Sequence, residues 1–397
     1  MKKISLFKSI VVLFLLIIFI LFGKVCFCGD TTGITKDTIK IGHFGSLTGE
    51  TYIFGKLAFN GAALVYNEIN EKGGIYGRKI ITIQEDDMCK PDGGIAAAKK
   101  LIHHHKVFMI HGGCCSNAAI AASEEIKKSN IPWMIMDATS DKITEPVHPY
   151  VFRATLSAKV EGRNMVDFAL TNPKVKRIAV VGQRDAWGMS KYNPLIERLK
   201  ELNIEAVADE EMVTDAHDAT PQVLRVMKAK ADAVLLVLYP KATAVFIRDA
   251  MKFGYKPMYV SQTAVTDLLA LQDEIGIKGA LEDFYTISHT KYGVYDKEVE
   301  KWQLLLKKHF PGDRLSVFNL VGIGTAQVVV EALKRAGPDL TREKMRDALE
   351  SIKNLEVEML TGPITFTQTD HQGLKQVAWT TLRDGKEVII GTKYPKK

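Results

Sequence analysis

The chain has 397 residues, too many for one ordinary hydrophobic core, so two domains are the default expectation. Its formal charge is +7, but Lys2, Lys3, Lys8 and Lys24 all precede residue 29, and without that stretch the charge falls to +3. The basic balance is therefore largely a property of the leader and gives no warrant for nucleic-acid binding.

In chain order, three of those lysines precede Ile10 to Phe22, thirteen uncharged aliphatic or aromatic residues. That length suits a signal-peptide core and falls short of the roughly 20 residues needed to cross a bilayer. Gly23 to Gly29 supplies small residues, so residues 1–28 read as a signal peptide, cleaved after Cys28 or Gly29. The expected address is periplasmic or otherwise extracytoplasmic. A lipid anchor on Cys26 or Cys28 is the alternative, but neither has the usual small-residue pair directly before it. Three cysteines then remain: Cys89, Cys114 and Cys115. In an oxidising compartment Cys89 is expected to pair with one of the vicinal two. If the partner is Cys115, closing that loop would contribute roughly 3.5 kcal/mol in the chain-entropy model. The odd cysteine reads as a buried spare thiol, with reactive thiol chemistry as the sharper alternative.

Past residue 36, short apolar runs alternate with amphipathic stretches, the signature of an α/β sheet. Strands are expected at 38–44, 79–85, 107–111, 131–136, 177–182, 204–208, 233–238, 257–261 and 281–287. Helices are expected at 55–71, where Ala58, Gly61, Ala62, Val65 and Ile69 recur at helical spacing, around 220–230 with Thr220 as N-cap before Pro221, and at 241–253 with Gly254 as stop. Segments 296–310 and 317–336 read as a surface helix and a more buried one. The tail ends in a hairpin signal at Asp384-Gly385. No internal repeat or flexible linker separates two beads, so a chain that crosses several times between lobes fits better. Two strand–helix units carry the most information: Ile39 to Glu50 leading to Phe54, and Val107 to Ser116 leading through a helix to Ile131–Thr139. Strand-end loops with small and hydroxyl residues at helix N-termini are where parallel sheets hold ligands.

At these residues the chain resembles the type I periplasmic solute-binding proteins of ABC transporters, in the leucine/isoleucine/valine-binding branch. The landmarks are Ile39 to Gly49, Asn70-Glu-Lys-Gly-Gly-Ile, Asp86-Asp-Met-Cys-Lys-Pro, Cys115-Ser, Ala138-Thr139, Tyr150-Val-Phe-Arg-Ala-Thr, Gly188 after an aromatic, and Gly362-Pro-Ile-Thr-Phe. The resemblance implies an α/β fold of two Rossmann-like lobes joined by a three-crossing hinge, with the ligand cleft between them. The first lobe would take 36–157 and 288–364, the second 158–287 and 365–397. It also implies that Cys89 and Cys115 are the disulfide pair.

Ser116 is expected at the N-cap of a helix through 117–128, where its hydroxyl and the helix dipole would grip a carboxylate. An ordinary cap is the plain alternative, and the resemblance reverses the balance. Asp137 and Thr139 follow the strand 131–136, in a loop that by resemblance meets the carboxylate and ammonium ends of an amino acid. Asp137 is unusual there; it either faces a cation or hydroxyl or caps a turn. Phe54, Trp187 and Tyr239 match aromatic positions that line the cleft in this family, where flat side chains bury ligand area on closure. The departure is Thr263, which falls where amino-acid binders place an acid for the ligand's ammonium. A buried ammonium without a counter-charge is costly. Either Asp137 supplies that charge from the other side, or the ligand is not an α-amino acid; family frequency favours a branched or aromatic amino acid, whereas the local chemistry favours an aromatic or aliphatic carboxylic acid.

His103-His104-His105 resembles a metal site, but three consecutive helical residues point about 100° apart and cannot converge on one ion. The Gly73-Gly-Ile-Tyr-Gly run ends a helix before a strand, the wrong order for a phosphate loop. No cofactor or metal is expected. The leading expectation is an exported, monomeric solute receptor that delivers a carboxylate-bearing ligand to a membrane permease, without catalysis. A secreted enzyme would need a nucleophile–base pair across the cleft, and none can be assembled. A ligand-sensing module acting through a membrane receptor partner is the remaining alternative.

Overall fold

The structure, a computed structural model, describes residues 29–391; the expected signal peptide lies outside the described residues. Two sheets organise the chain. The first takes β1 (Thr38–Gly45), β2 (Lys79–Asp86), β3 (Met109–Gly112), β4 (Trp133–Ile135) and β5 (Val151–Arg153) in the order β2-β1-β3-β4-β5. All its pairings are parallel. Between the strands run α1 (Ala58–Glu71), α2 (Pro91–Lys99) and α3 (Ser116–Lys128).

After β5 the chain crosses to α4 (Ala158–Leu170), β6 (Ile178–Gly182), α5 (Ala186–Glu201), β7 (Ala208–Glu211), α6 (Thr220–Lys228), β8 (Ala233–Val237), α7 (Pro240–Lys252), β9 (Met258–Ser261), α8 (Leu268–Ile275) and β10 (Phe284–Ser288). It then returns to α9 (Glu300–His309), α10 (Val317–Ala336) and α11 (Arg342–Glu350) before a last crossing to β11 (Ala378–Arg383) and β12 (Lys386–Ile390). The second sheet runs β12-β11-β10-β9-β8-β6-β7, parallel except for the two pairings made by β11. The hairpin expected at Asp384-Gly385 is the turn between β11 and β12.

α10 is apolar and long enough to cross a membrane, yet 83% of its apolar window is buried inside the protein, as befits a core helix. It lies against α1 so closely that a Cβ at Gly61 would come within 2.1 Å of the Asn319 carbonyl oxygen, and one at Gly322 within 1.9 Å of the Ala58 carbonyl oxygen. Glycine is required at both positions because only a missing side chain lets the two backbones touch.

Several boundaries differ from expectation for identifiable reasons. The strand expected at 204–208 lies at Ala208–Glu211, a sheet edge of acidic residues in which Asp209 and Glu211 are exposed and Glu210 pairs with Arg225, so no apolar run marks it. Ile204 and Ala206 instead pack on the core just ahead of it. β5, with three residues, is too short to leave a run that signals a strand. Thr220 is not the N-cap of α6; Ala219 holds that position, and Asp218 Oδ1 accepts from the Thr220 hydroxyl at 2.7 Å.

The three crossings are hydrogen-bonded to one another. Arg153 N donates to the His371 carbonyl (2.9 Å) and Gly373 N to the Arg153 carbonyl (2.7 Å), joining the first to the third. Leu156 N donates to His289 Nδ1 (3.2 Å), joining the first to the second. The fully buried Arg153 guanidinium reinforces this seam, donating to Gln372 Oε1 (2.9 Å) and the Ser140 carbonyl (2.6 Å).

Candidate functional site

In both sheets the strand order reverses beside the first strand of the lobe, between β1 and β3 and between β6 and β8. Helices leave opposite faces of the sheet at such a point and open a crevice beyond the strand C-termini. The site residues sit at those ends. Phe54 lies in the π-helical turn Ile53–Leu57 after β1, Ser116 opens α3 after β3, and Asp137 and Thr139 follow β4. From the second sheet come Trp187 in the first turn of α5 after β6, Tyr239 capping α7 after β8, and Thr263 in a 3-10 turn after β9. All seven line one chamber, with Cys114, Cys115 and Ala264.

Ser116 is the first residue of α3 rather than its cap; Cys115, in extended conformation, holds the cap position. A disulfide ties Cys115 to Cys89 in the loop after β2. Ser116 Oγ accepts from Thr139 N and Ser140 N, both at 3.2 Å. Its own hydrogen remains to donate into the chamber, beside the partially positive helix N-terminus. The spare thiol, Cys114, is buried, as the sequence led one to expect.

The aromatic wall spans the lobes. Trp187 and Tyr239 stack with centroids 4.0 Å apart and planes at 14°, and Phe54 tilts against Tyr239 at 5.6 Å. Trp187 is only 4% exposed. Asn117, in the first turn of α3, reaches across: its Nδ2 donates to Asp185 Oδ2 (3.0 Å), and its Oδ1 accepts from Trp187 N (3.0 Å). At the rim Lys241 meets Glu50 at 2.7 Å, an exposed pair of little energetic weight. The lobes are thus closed, and the chamber leaves room for about one water, roughly 20 Å³. Any organic ligand is larger, so entry requires the lobes to part. A wider cavity of about 460 Å³ opens at the rim, between Glu50, Lys241 and Phe318.

Three buried polar residues behind the chamber wall were not singled out from sequence. Lys191 lies one helical turn beyond Trp187, fully buried; its Nζ donates to Thr139 Oγ1, sits 4.6 Å from the Trp187 ring centroid and lies 4.0 Å from Glu161 Oε2. Burial holds its ammonium below the usual lysine range, against the pull of Glu161, Asp137 and Asp141. Glu161, in the first turn of α4, accepts from Thr263 Oγ1 (3.0 Å) and Thr263 N (3.2 Å). His289 Nε2 lies 3.1 Å from Asp137 Oδ1, within ion-pair reach but off the line of a straight hydrogen bond. Because His289 Nδ1 accepts from Leu156 N, Nε2 carries the ring proton and faces the carboxylate. Burial pushes the Asp137 carboxyl up, partly offset by His289. The trace that could have revealed Lys191 is its i+4 spacing from Trp187, which puts both on one helix face.

The two features read as chemically inert behave accordingly. His103 pairs with Glu125 and His105 with Glu85, on separate partners, and Gly73–Gly77 lies between α1 and β2.

A family model described as periplasmic binding protein matches residues 38–387. The chain belongs to the periplasmic binding protein family. Leu/Ile/Val-binding protein homolog 7 of Brucella abortus (strain 2308) is 26% identical over 370 residues, covering 90% of this chain and 91% of its own. Among solved structures, the fatty acid ABC transporter substrate-binding protein from Thermomonospora curvata superposes with a TM-score of 0.81 at 22% identity, covering 93% of this chain and 95% of that one. A solute-binding protein of an ABC transporter from Rhodopseudomonas palustris BisB5, in complex with 3,4-dihydroxybenzoic acid, gives 0.75 at 23% identity, covering 89% and 95%. This periplasmic binding protein therefore has the type I fold of two parallel-sheet lobes and resembles the leucine/isoleucine/valine-binding branch.

Proposed function

We propose that this periplasmic binding protein is exported by its leader, captures a small carboxylate-bearing ligand by closure of two lobes, and delivers it as a monomer to the permease of an ABC importer. The lobes would move as units of residues 36–157 plus 288–364 and 158–287 plus 365–397. The observation that carries the reading is the convergence of Ser116 and Thr139 from one sheet with Trp187, Tyr239 and Thr263 from the other on a single chamber. A hydroxyl at a helix N-terminus suits a carboxylate, and stacked aromatics suit an apolar body. No chemical step is required of the protein; function is capture by closure and release on opening. The named specificities of the relatives, leucine/isoleucine/valine, fatty acid and dihydroxybenzoic acid, share the same plan of a carboxylate on an apolar body.

A thermal-shift screen over amino acids and over aromatic and aliphatic carboxylates tests this. A true ligand at a hundred times its Kd stabilises the native state by about 2.7 kcal/mol and raises the unfolding temperature. A shift confined to sugars or nucleosides would contradict the carboxylate reading.

A further inference from the structure

Behind the chamber wall stands the acid that Thr263 seemed to lack, and that acid already has a partner. Glu161 stands directly behind Thr263, which donates to it through both its hydroxyl and its backbone N–H. A protein ammonium, Lys191 Nζ, faces the same carboxylate at 4.0 Å and fills the Thr139 hydroxyl. It is immediately behind the wall formed by Thr139 and Trp187, and both its side chain and that of Glu161 are fully buried. The other charged groups facing it are Asp137, Asp141 and Arg153. A lysine withdrawn wholly from water is expensive unless its charge is used.

We propose that Lys191 is the specificity-determining residue of the chamber, an internal counter-ion that replaces the ligand's α-ammonium, so that the protein selects carboxylates without an α-amino group over the corresponding amino acids. This rests on the carboxylate-receptor reading above. An arriving ammonium finds Glu161 already paired with Lys191, so no free counter-charge stands behind Thr263. An arriving carboxylate needs no such partner, because it meets the Ser116 hydroxyl and the N-terminus of α3. Thr263 in place of an acid then follows, because a further carboxylate there would have no cation left to balance it.

Isothermal titration with matched pairs tests the inference: leucine against 4-methylpentanoate, and phenylalanine against 3-phenylpropanoate. For the wild-type protein the desamino member of the binding pair is expected to bind at least tenfold more tightly. In Lys191→Met, Glu161 is free to accept a ligand ammonium, and the preference should shrink at least tenfold or reverse. Should that variant fail to fold with an unpaired buried acid, Lys191→Met with Glu161→Gln removes both charges. There the preference should fall toward one, with circular dichroism reporting the fold. A wild-type preference for the amino acids, or a ratio unchanged in a folded variant, overturns the assignment. If neither series binds the wild-type protein at all, the carboxylate-receptor reading fails and the inference falls with it.

Discussion

Trp187 ties several parts of the site together: its ring stacks on Tyr239 and covers Lys191, and its backbone N–H donates to Asn117. Replacing it with alanine removes the stacked wall but leaves that backbone bond. The void opens onto the cleft, where water can enter, so part of the usual cost of a core truncation is relieved. Trp187→Ala is expected to weaken ligand binding tenfold or more by calorimetry while the variant keeps its native circular dichroism; unchanged affinity would count against the aromatic wall. A second residue, Asp87, carries a pH dependence. Burial, with a smaller push from Asp86, holds its carboxyl at about 7, while the Cys89 N–H pulls the other way. The folded protein thus binds this proton more tightly than the unfolded chain does. The associated stability is fully present below about pH 4 and lost as the pH rises through about 7. Asp87→Asn keeps an acceptor for Cys89 N and removes the loss. Its thermal unfolding should match wild type near pH 4 and exceed it at pH 8, by up to roughly 4 kcal/mol; parallel profiles would refute this. At this scale the pattern alone would read Phe54, Trp187 and Tyr239 as core; the family resemblance pointed to them, and they line one chamber with Ser116, Thr139 and Thr263. Lys191 and Glu161 were hidden, because charged residues within helical patterns normally face water, and only the tertiary fold turns these inward; His289 lies in a crossing segment with no local sequence mark.

Closure is a property of elements. The N-terminal turns of α3 and α5 face each other across the cleft, and Asn117 joins them by two hydrogen bonds to Asp185 and Trp187. Neither bond uses a group that lines the chamber. Asn117→Ala should therefore favour the open form and weaken ligand affinity several-fold, mostly through a faster off-rate, with the unfolding temperature of the empty protein little changed. Stopped-flow dissociation measures this, and an off-rate equal to wild type would show that Asn117 does not hold the lobes together. The long elements were legible because burial writes its period into them: α10 lies where its apolar run begins and ends, and β6 and β8 are near-continuous Ala, Val, Ile and Leu. What failed were edges and caps. The acidic edge strand β7 has no apolar face to read. The cap of α3 lies at Cys115, one residue before the Ser116 that hydroxyl-based capping rules favour.

For the whole molecule, the informative feature is how the three crossings are joined. His289 belongs to the second crossing, bonds the first through Leu156, and faces Asp137 on the chamber floor. The site loop and the hinge are therefore mechanically continuous, and a ligand that orders the Asp137–Thr139 loop also bears on the segments that must bend. The two-lobe plan was readable from the absence of any linker together with two complete strand–helix series. Which helices the late segment 300–350 covers was not, because that depends on a return crossing with no local sequence mark.

All of this presumes one modest organic anion held where the two sheets' strand ends meet. The crystal structure of the wild-type protein with the best-binding carboxylate is the most direct measurement. The account predicts the carboxylate within hydrogen-bonding distance of Ser116 Oγ and the first turn of α3, with its apolar body against Trp187 and Tyr239. Density for the ligand confined to the rim cavity beside Glu50 and Lys241, with Ser116 and Trp187 untouched, would contradict it.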